Sequence, residues 1–201
     1  DPAIVRIRQR SGLRVLSPAD TWCSLGTVLG VPDLVAVADF LLEGAPLGGI
    51  RAECTREELE DAVARRRDVP GVPRLRAALP LARSGAWSRP ESLLRVALHQ
   101  CGLPEPALNH PVGRFFVDLA WPGVRFGIEY DGDHHRDPAQ FARDIERQEL
   151  IADEGWRLMR VTRADLFQRT SATVTRVWSR LTELGAVPGL PKSGRIPVLR
   201  P

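Results

Sequence analysis

The stretch from Gly113 to Gly132, GRFFVDLAWPGVRFGIEYDG, constrains this chain more than any other. It holds two runs rich in aromatic and aliphatic residues, broken by Trp121-Pro122-Gly123, and reads as two strands joined by a hairpin connection. Each strand carries an acid among apolar neighbours: Asp118 beside Val117 and Leu119, and Glu129 between Ile128 and Tyr130. If the strands pair antiparallel about Pro122-Gly123, the two carboxylates approach across the ladder. Asp131, two residues beyond Glu129, points to the same face. Carboxylates crowded on one sheet face repel one another and raise each other's pKa, so such a face needs a cation. Oxygen-only ligands favour a hard ion, Mg²⁺ or Mn²⁺, over zinc. Asp118, Glu129 and Asp131 are therefore the candidate metal ligands.

Helical signals flank this hairpin. Ser88-Arg89-Pro90-Glu91 opens a helix to about Gln100, closed by Gly102 and Pro104. Asp137-Pro138 starts another that reaches Glu154, with Gly155 just past its end. Trp156 to Thr162 is a third strand, and an amphipathic helix follows over about Ala172–Leu184. From residue 85 the expected order is helix, strand, strand, helix, strand, helix, a mixed α/β (α+β) arrangement. The tail from Pro188 is rich in Pro and Gly and is expected to be irregular.

The first part has a different texture. Residues 3–16 form a candidate hairpin about Ser11-Gly12. Ser17-Pro18-Ala19-Asp20 starts a helix carrying Trp22, Leu25, Val28 and Leu29 on one face and stopping near Gly30. A second helix runs from about Pro32 to Leu42 and ends at Gly44. Thr55 and Glu58 make a capping box for a charged helix through Arg67, and a short Arg-rich helix falls between Val69 and Gly85. The expected division is a mainly helical accessory domain at 1–84, the mixed domain at 85–186, and a tail at 187–201.

Composition narrows the function classes. No apolar run approaches the length of a membrane helix, so no membrane partner is expected. Cys23, Cys54 and Cys101 are three in number, far apart and without a CxxC pair, which fits buried thiols in a reducing cytoplasm. The net charge is +3. Lys192 is the sole lysine, so any mechanism that requires a core lysine lacks one. The chain opens on Asp1-Pro2 without an initiator Met, from which a missing upstream segment is expected.

Around the strand acids lie further candidates. Glu91 has two readings that can hold together: a capping acid that satisfies a backbone N–H, and a fourth acid of the site. His134 and His135 fall in the densest polar cluster, Glu129 to His135, where a histidine near metal can act as general base or hold a water. The alternative for both is a solvated Asp-Gly turn. Asp144 and Arg147 share a helix face, either as a surface ion pair or with Arg147 directed at phosphate. Arg160 on the third strand can play a similar part.

Pro90-Glu91, Val117-Asp118, the run Ile128-Glu129-Tyr130-Asp131-Gly132-Asp133-His134-His135, then Asp144 and Arg147, Gly155 and Arg160, closely resemble the very-short-patch-repair-like endonuclease domains of the PD-(D/E)XK superfamily. The resemblance covers about residues 85–185. It implies a restriction-endonuclease-like mixed sheet flanked by helices, and phosphodiester hydrolysis by metal-activated water. It also implies site roles: Glu91 the helix acid, Asp118 the central ligand, Glu129 the second acid, with Asp131 and His135 completing the catalytic set. His134, Arg147 and Arg160 would contact phosphate or DNA. The chain departs from the signature at Asp131, which stands where the signature has lysine. An acid cannot stabilise charge on the attacked phosphate, but it can ligate metal.

Residues Ser11 to Trp22 and the two helices after them are similar to the middle region of AbiEi-like antitoxins of type IV toxin–antitoxin systems. That resemblance implies a cognate toxin and an upstream DNA-binding winged helix as partners. Two functions follow: a Mg²⁺- or Mn²⁺-dependent DNA endonuclease in defence, restriction or repair, or a non-catalytic DNA-binding regulator or antitoxin that keeps a nuclease-like scaffold.

Overall fold

The structure is a computed structural model that describes residues 5–67, 69–132 and 138–188. The chain divides into two compact units, Asp1–Leu93 and Leu94–Pro201.

In the first unit, β1 (Ile7–Arg10) and β2 (Leu13–Leu16) pair antiparallel with Ile7 opposite Leu16. Their connection is Ser11-Gly12, both at positive φ (50° and 79°), which matches the twist of a two-residue hairpin. Ser17 caps α1 (Pro18–Leu25) by accepting from Asp20 N. Next come α2 (Val31–Glu43), ended by Gly44, and the short antiparallel pair β3 (Gly44–Ala45) and β4 (Ile50–Arg51). The expected capping box of Thr55 and Glu58 is present on α3 (Arg56–Ala64), and α4 (Val72–Ala78) runs into a 3₁₀ turn at Leu79–Leu81. Trp22, Leu34, Leu59 and Leu75 are fully buried, and Trp22 Nε1 donates to Leu34 O at 2.8 Å.

The first helix stops earlier than its apolar pattern suggests, at Leu25 instead of near Gly30, and Val28 is 71% exposed. Here the backbone passes against Gly71, whose Cβ, if it had one, would sit 2.5 Å from the Gly26 carbonyl carbon. Close tertiary approach ends the helix, a constraint that local periodicity does not carry. Likewise α3 ends at Ala64, short of Arg67.

The second unit begins inside α5 (Arg89–Gln100). The division falls at Leu93–Leu94, within this helix. The first turn of α5 is tied to its own unit: Ser92 Oγ donates to Asp39 Oδ2 at 2.7 Å, and Arg89 pairs with Asp33. Strands β5 (Ala107–Val112), β6 (Phe115–Trp121) and β7 (Phe126–Asp131) follow, then α6 (Pro138–Asp153), β8 (Arg157–Thr162), α7 (Arg163–Phe167) and α8 (Thr170–Glu183). The sheet order is β5-β6-β7-β8. The first two pairings are antiparallel; β7 and β8, linked through α6, are parallel. This is a mixed α+β sheet flanked by helices, the restriction-endonuclease-like class.

Strand β5 and helix α7 go beyond the expected order. The β5 segment Ala-Leu-Asn-His-Pro-Val reads poorly as a strand because Asn and Pro interrupt it. It survives as an edge strand, where Pro111 deprives the ladder of little. Helix α7 arises from a capping box of Thr162 and Asp165 at the end of β8.

Two layers cover the sheet. Val112, Val117, Ala120 and Ile151 of α6 cluster on one face, with Trp156 and Leu158 packed against them. On the other face α8 lies beside Phe126 and Met159. A Cβ on Gly127 would overlap Val117, so the close fit of β6 and β7 on the α6 side requires glycine there. Among the described residues no helix is long and apolar enough to cross a membrane. The tail assigned to 187–201 lies outside the described residues from 189 onward.

Candidate functional site

The site forms where β6 and β7 part. Their ladder pairs Trp121 with Phe126, Ala120 with Gly127 and Leu119 with Ile128. One step further, the same register brings Asp118 to Glu129. There the Asp118 carboxylate takes over from the backbone: Oδ2 accepts from Tyr130 N at 2.7 Å. The irregularity extends to β5. Leu108 pairs with Leu119 and His110 with Val117, but the step between them is skipped, and Asn109 sits there at φ 43°. Val117 and Ala120, three apart, share one cluster, so the two-residue alternation is interrupted between them. Asp118 thus stands at a kink in a central strand.

Strand pairing supplies the rest. In the parallel pair, Glu129 lies beside Arg160 and Asp131 beside Thr162, all on the face covered by α6. Helix α6 contributes Arg147, whose Nη2 is 2.7 Å from Glu129 Oε1 and donates to Phe116 O at 2.7 Å. Arg160 Nη1 is 3.8 Å from Asp131 Oδ2. With its amide oxygen turned inward, Gln148 accepts from Arg160 Nη2 at 2.5 Å and from Nε at 2.8 Å. Asp118, Glu129, Asp131, Arg147 and Arg160 therefore meet in one layer of the second unit.

Glu129 carries the electrostatic strain of this layer. It is 7% exposed, and burial pushes its pKa above the ordinary carboxyl value. Arg147 and then Arg160 pull it down, while Asp144 and Asp131 add to the rise. The net result is a raised pKa despite two guanidinium groups. Glu129 Oε1 is buried and has no aligned hydrogen bond: Arg147 stands close but directs its donor at the Phe116 carbonyl. A buried carboxylate oxygen that faces a guanidinium without an aligned hydrogen bond can also take a metal ion. Among the described residues, however, no group of three or more His, Cys, Asp or Glu side chains is set to hold a metal. An ion bound by Asp118 and Glu129 would complete its shell with water and phosphate oxygens, which is the habit of Mg²⁺.

The other expected residues divide. Glu91 lies in the first unit, buried, where its Oε2 accepts from Trp87 N at 2.9 Å and its own N–H is capped by Ser88 Oγ at 3.4 Å. The capping reading of Glu91 is realised; its part as a fourth acid rests on the resemblance. His134 and His135 lie outside the described residues. Two residues with no signal in the motif belong here as well. Gln148 acquires its role only because α6 packs over β8, which local sequence does not announce. Asn109 did carry a hint, since Asn is the residue type most at ease at positive φ outside glycine.

Comparison with known proteins bears on the segment that carries this layer. Residues 94–181 match the model of the restriction-endonuclease-like family REase_MTES_1575. That segment is similar to a restriction-endonuclease-like domain; it contains all five residues of the layer and excludes Glu91. Two Mycobacterium tuberculosis proteins are similar: the uncharacterized proteins MT2308 (strain CDC 1551 / Oshkosh) and Rv2248 (strain H37Rv). Each is 32% identical over 178 residues, covering 86% of this chain. The chain spans 63% of the length of these relatives. No solved structure matches the chain.

Proposed function

We propose that the second unit is a divalent-metal-dependent endonuclease acting on DNA, with Asp118 and Glu129 as the ligand pair. The observation that carries this reading is the buried, unaligned Glu129 Oε1 on a strand adjacent to Asp118, inside a restriction-endonuclease-like domain. Mg²⁺ or Mn²⁺, when bound, would supply Lewis acidity toward a phosphate oxygen and acidify a water. The chain does the positioning. Asp118, fixed by Tyr130 N, offers its carboxylate at the kink of β6. Glu129 must be ionised to serve, and Arg147 favours that state. Arg147, 2.7 Å from Glu129, would be the guanidinium nearest a phosphate held at this pair. Arg160, held by Gln148 and 3.8 Å from Asp131, presents a second guanidinium beside Glu129 where the signature lysine is absent. Glu91, His134 and His135 keep the roles the resemblance implies.

One observation favours a second reading, a DNA-binding regulator or antitoxin without catalysis. Arg147 already compensates Glu129, and Asp131 replaces the lysine, so the layer is close to neutral without metal. Calorimetric titration with Mn²⁺, together with cleavage of supercoiled DNA, separates the two. The parent protein is expected to bind Mn²⁺ and nick DNA. Asp118→Asn should abolish both while keeping the circular dichroism of the parent. Absence of Mn²⁺ binding by the parent at millimolar concentration would select the regulator. A defence or restriction role, and a toxin partner, belong to this proposal as its context.

A further inference from the structure

On the sheet face away from Glu129, at the opposite end of β7, a groove of about 670 Å³ opens between β7, β8 and α8. The placement follows from pairing. Phe126 lies beside Arg157, and both alternate out of register with Glu129 and Arg160, so the two sites occupy opposite faces. Arg157 reaches the groove from β8, and Arg176 and Arg180, four residues apart, reach it from α8. Ser179 adds a hydroxyl, and Phe126 and Met159 provide an apolar floor.

The charges are unevenly satisfied. Arg176 is 3.3 Å from Asp165, which it shares with Arg169, and Arg180 is 2.8 Å from Glu183. Arg157 is exposed, and its guanidinium has no partner among the described residues. A groove with three guanidinium groups, one acid and an apolar floor suits a ligand that is anionic along one side and flat and apolar along the other. A nucleic-acid strand has that character: guanidinium groups track its phosphates, and bases rest on the floor. A cleft of about 670 Å³ has room for an unpaired strand along its arginines.

We propose that this groove binds a single strand of nucleic acid, so that the domain engages a substrate with an unpaired segment. The choice of nucleic acid over other polyanions rests on the nuclease reading of the same unit, but the groove shares no residue with the metal pair.

The test is fluorescence anisotropy of a short labelled oligodeoxythymidine strand with the whole chain in EDTA, across a range of salt. The combined variant Arg157→Gln, Arg176→Gln, Arg180→Gln should weaken strand binding by roughly tenfold or more. It should also flatten the salt dependence by about 0.7 per charge removed. Glu183→Gln, which leaves all three arginines, should tighten binding. Circular dichroism checks the triple variant; if it is unfolded, Glu183→Gln alone decides, and unchanged or weaker binding overturns the proposal. It is also overturned if the folded triple variant binds the strand as the parent does, or if a duplex of equal length is bound more tightly and lost to the same degree. Since no metal is present, a chain that fails to bind Mn²⁺ can still pass this test, and failure here leaves the metal site standing.

Discussion

Glu129 concentrates the conflict between folding and chemistry. Its side chain is buried, its nearest cation aims elsewhere, and two acids stand near it, so its carboxyl holds its proton above the ordinary value. For an acid with a raised pKa, the folded chain binds more protons than the unfolded chain in the window above the ordinary value. Stability is then full below that value and falls as pH rises through the folded pKa. Replacing Glu129 by the uncharged isostere removes this loss. Glu129→Gln is therefore expected to melt higher than the parent at neutral pH in EDTA, with the gap closing near about pH 4. Mn²⁺ binding should vanish in the same variant. Thermal melts at the two pH values check the first point, and a Glu129→Gln protein that melts lower at neutral pH would show that Arg147 already satisfies the carboxylate.

At the scale of elements, the kink shared by β5 and β6 matters most. A regular ladder would pair the step between Leu108–Leu119 and His110–Val117; instead Asn109 adopts φ 43° and Asp118 turns to Tyr130 N. Left-handed backbone costs an L residue roughly 1–2 kcal/mol, less for Asn and almost nothing for Gly. Asn109→Gly should hence keep the stability of the parent within about 1 kcal/mol, whereas Asn109→Val should lose about 1–2 kcal/mol. Urea unfolding measures both. Equal losses in the two variants would assign the effect to the Asn side chain rather than to the backbone. The same scale explains why β5 escapes a reading of its sequence. A strand with Asn and Pro inside it is admitted only by its place at the sheet edge.

For the molecule as a whole, two units of different construction share one helix. The first is organised around Asp20, fully buried, which accepts from Ser17 Oγ at 2.5 Å, Arg6 N at 2.8 Å and Arg66 Nη2 at 2.7 Å, and pairs with Arg65. Burial opposes ionisation, and these hydrogen bonds and charges more than offset it, so the carboxyl titrates below its usual range. The sign is the reverse of Glu129: the contribution is present above the ordinary value and is lost as pH falls through the folded pKa. Asp20→Ala leaves Arg66 buried without its counter-charge and should destabilise the first unit by about 3–5 kcal/mol. Hydrogen exchange resolved along the chain checks this. Protection should fall in α1 and α3 and persist in β6 and β7; uniform loss would mean that the units do not unfold separately. The three cysteines are buried and unpaired, and burial raises the thiols of Cys23 and Cys54 to about 11, so they remain inert at neutral pH.

What the sequence determined by itself was local or periodic. The hairpin about Pro122-Gly123, the caps at Ser17 and Thr55, the glycine stop at Gly44 and the shared face of Glu129 and Asp131 follow from rules acting over a few residues. Tertiary structure decided whatever depends on one element meeting another. It ended α1 at Leu25 against Gly71, admitted β5 at the sheet edge, and divided the units inside α5. It also brought Arg147 and Arg160 from other elements against Glu129 and Asp131. Side-chain charge is written in the sequence, but its compensation depends on distance, and distance is set by packing.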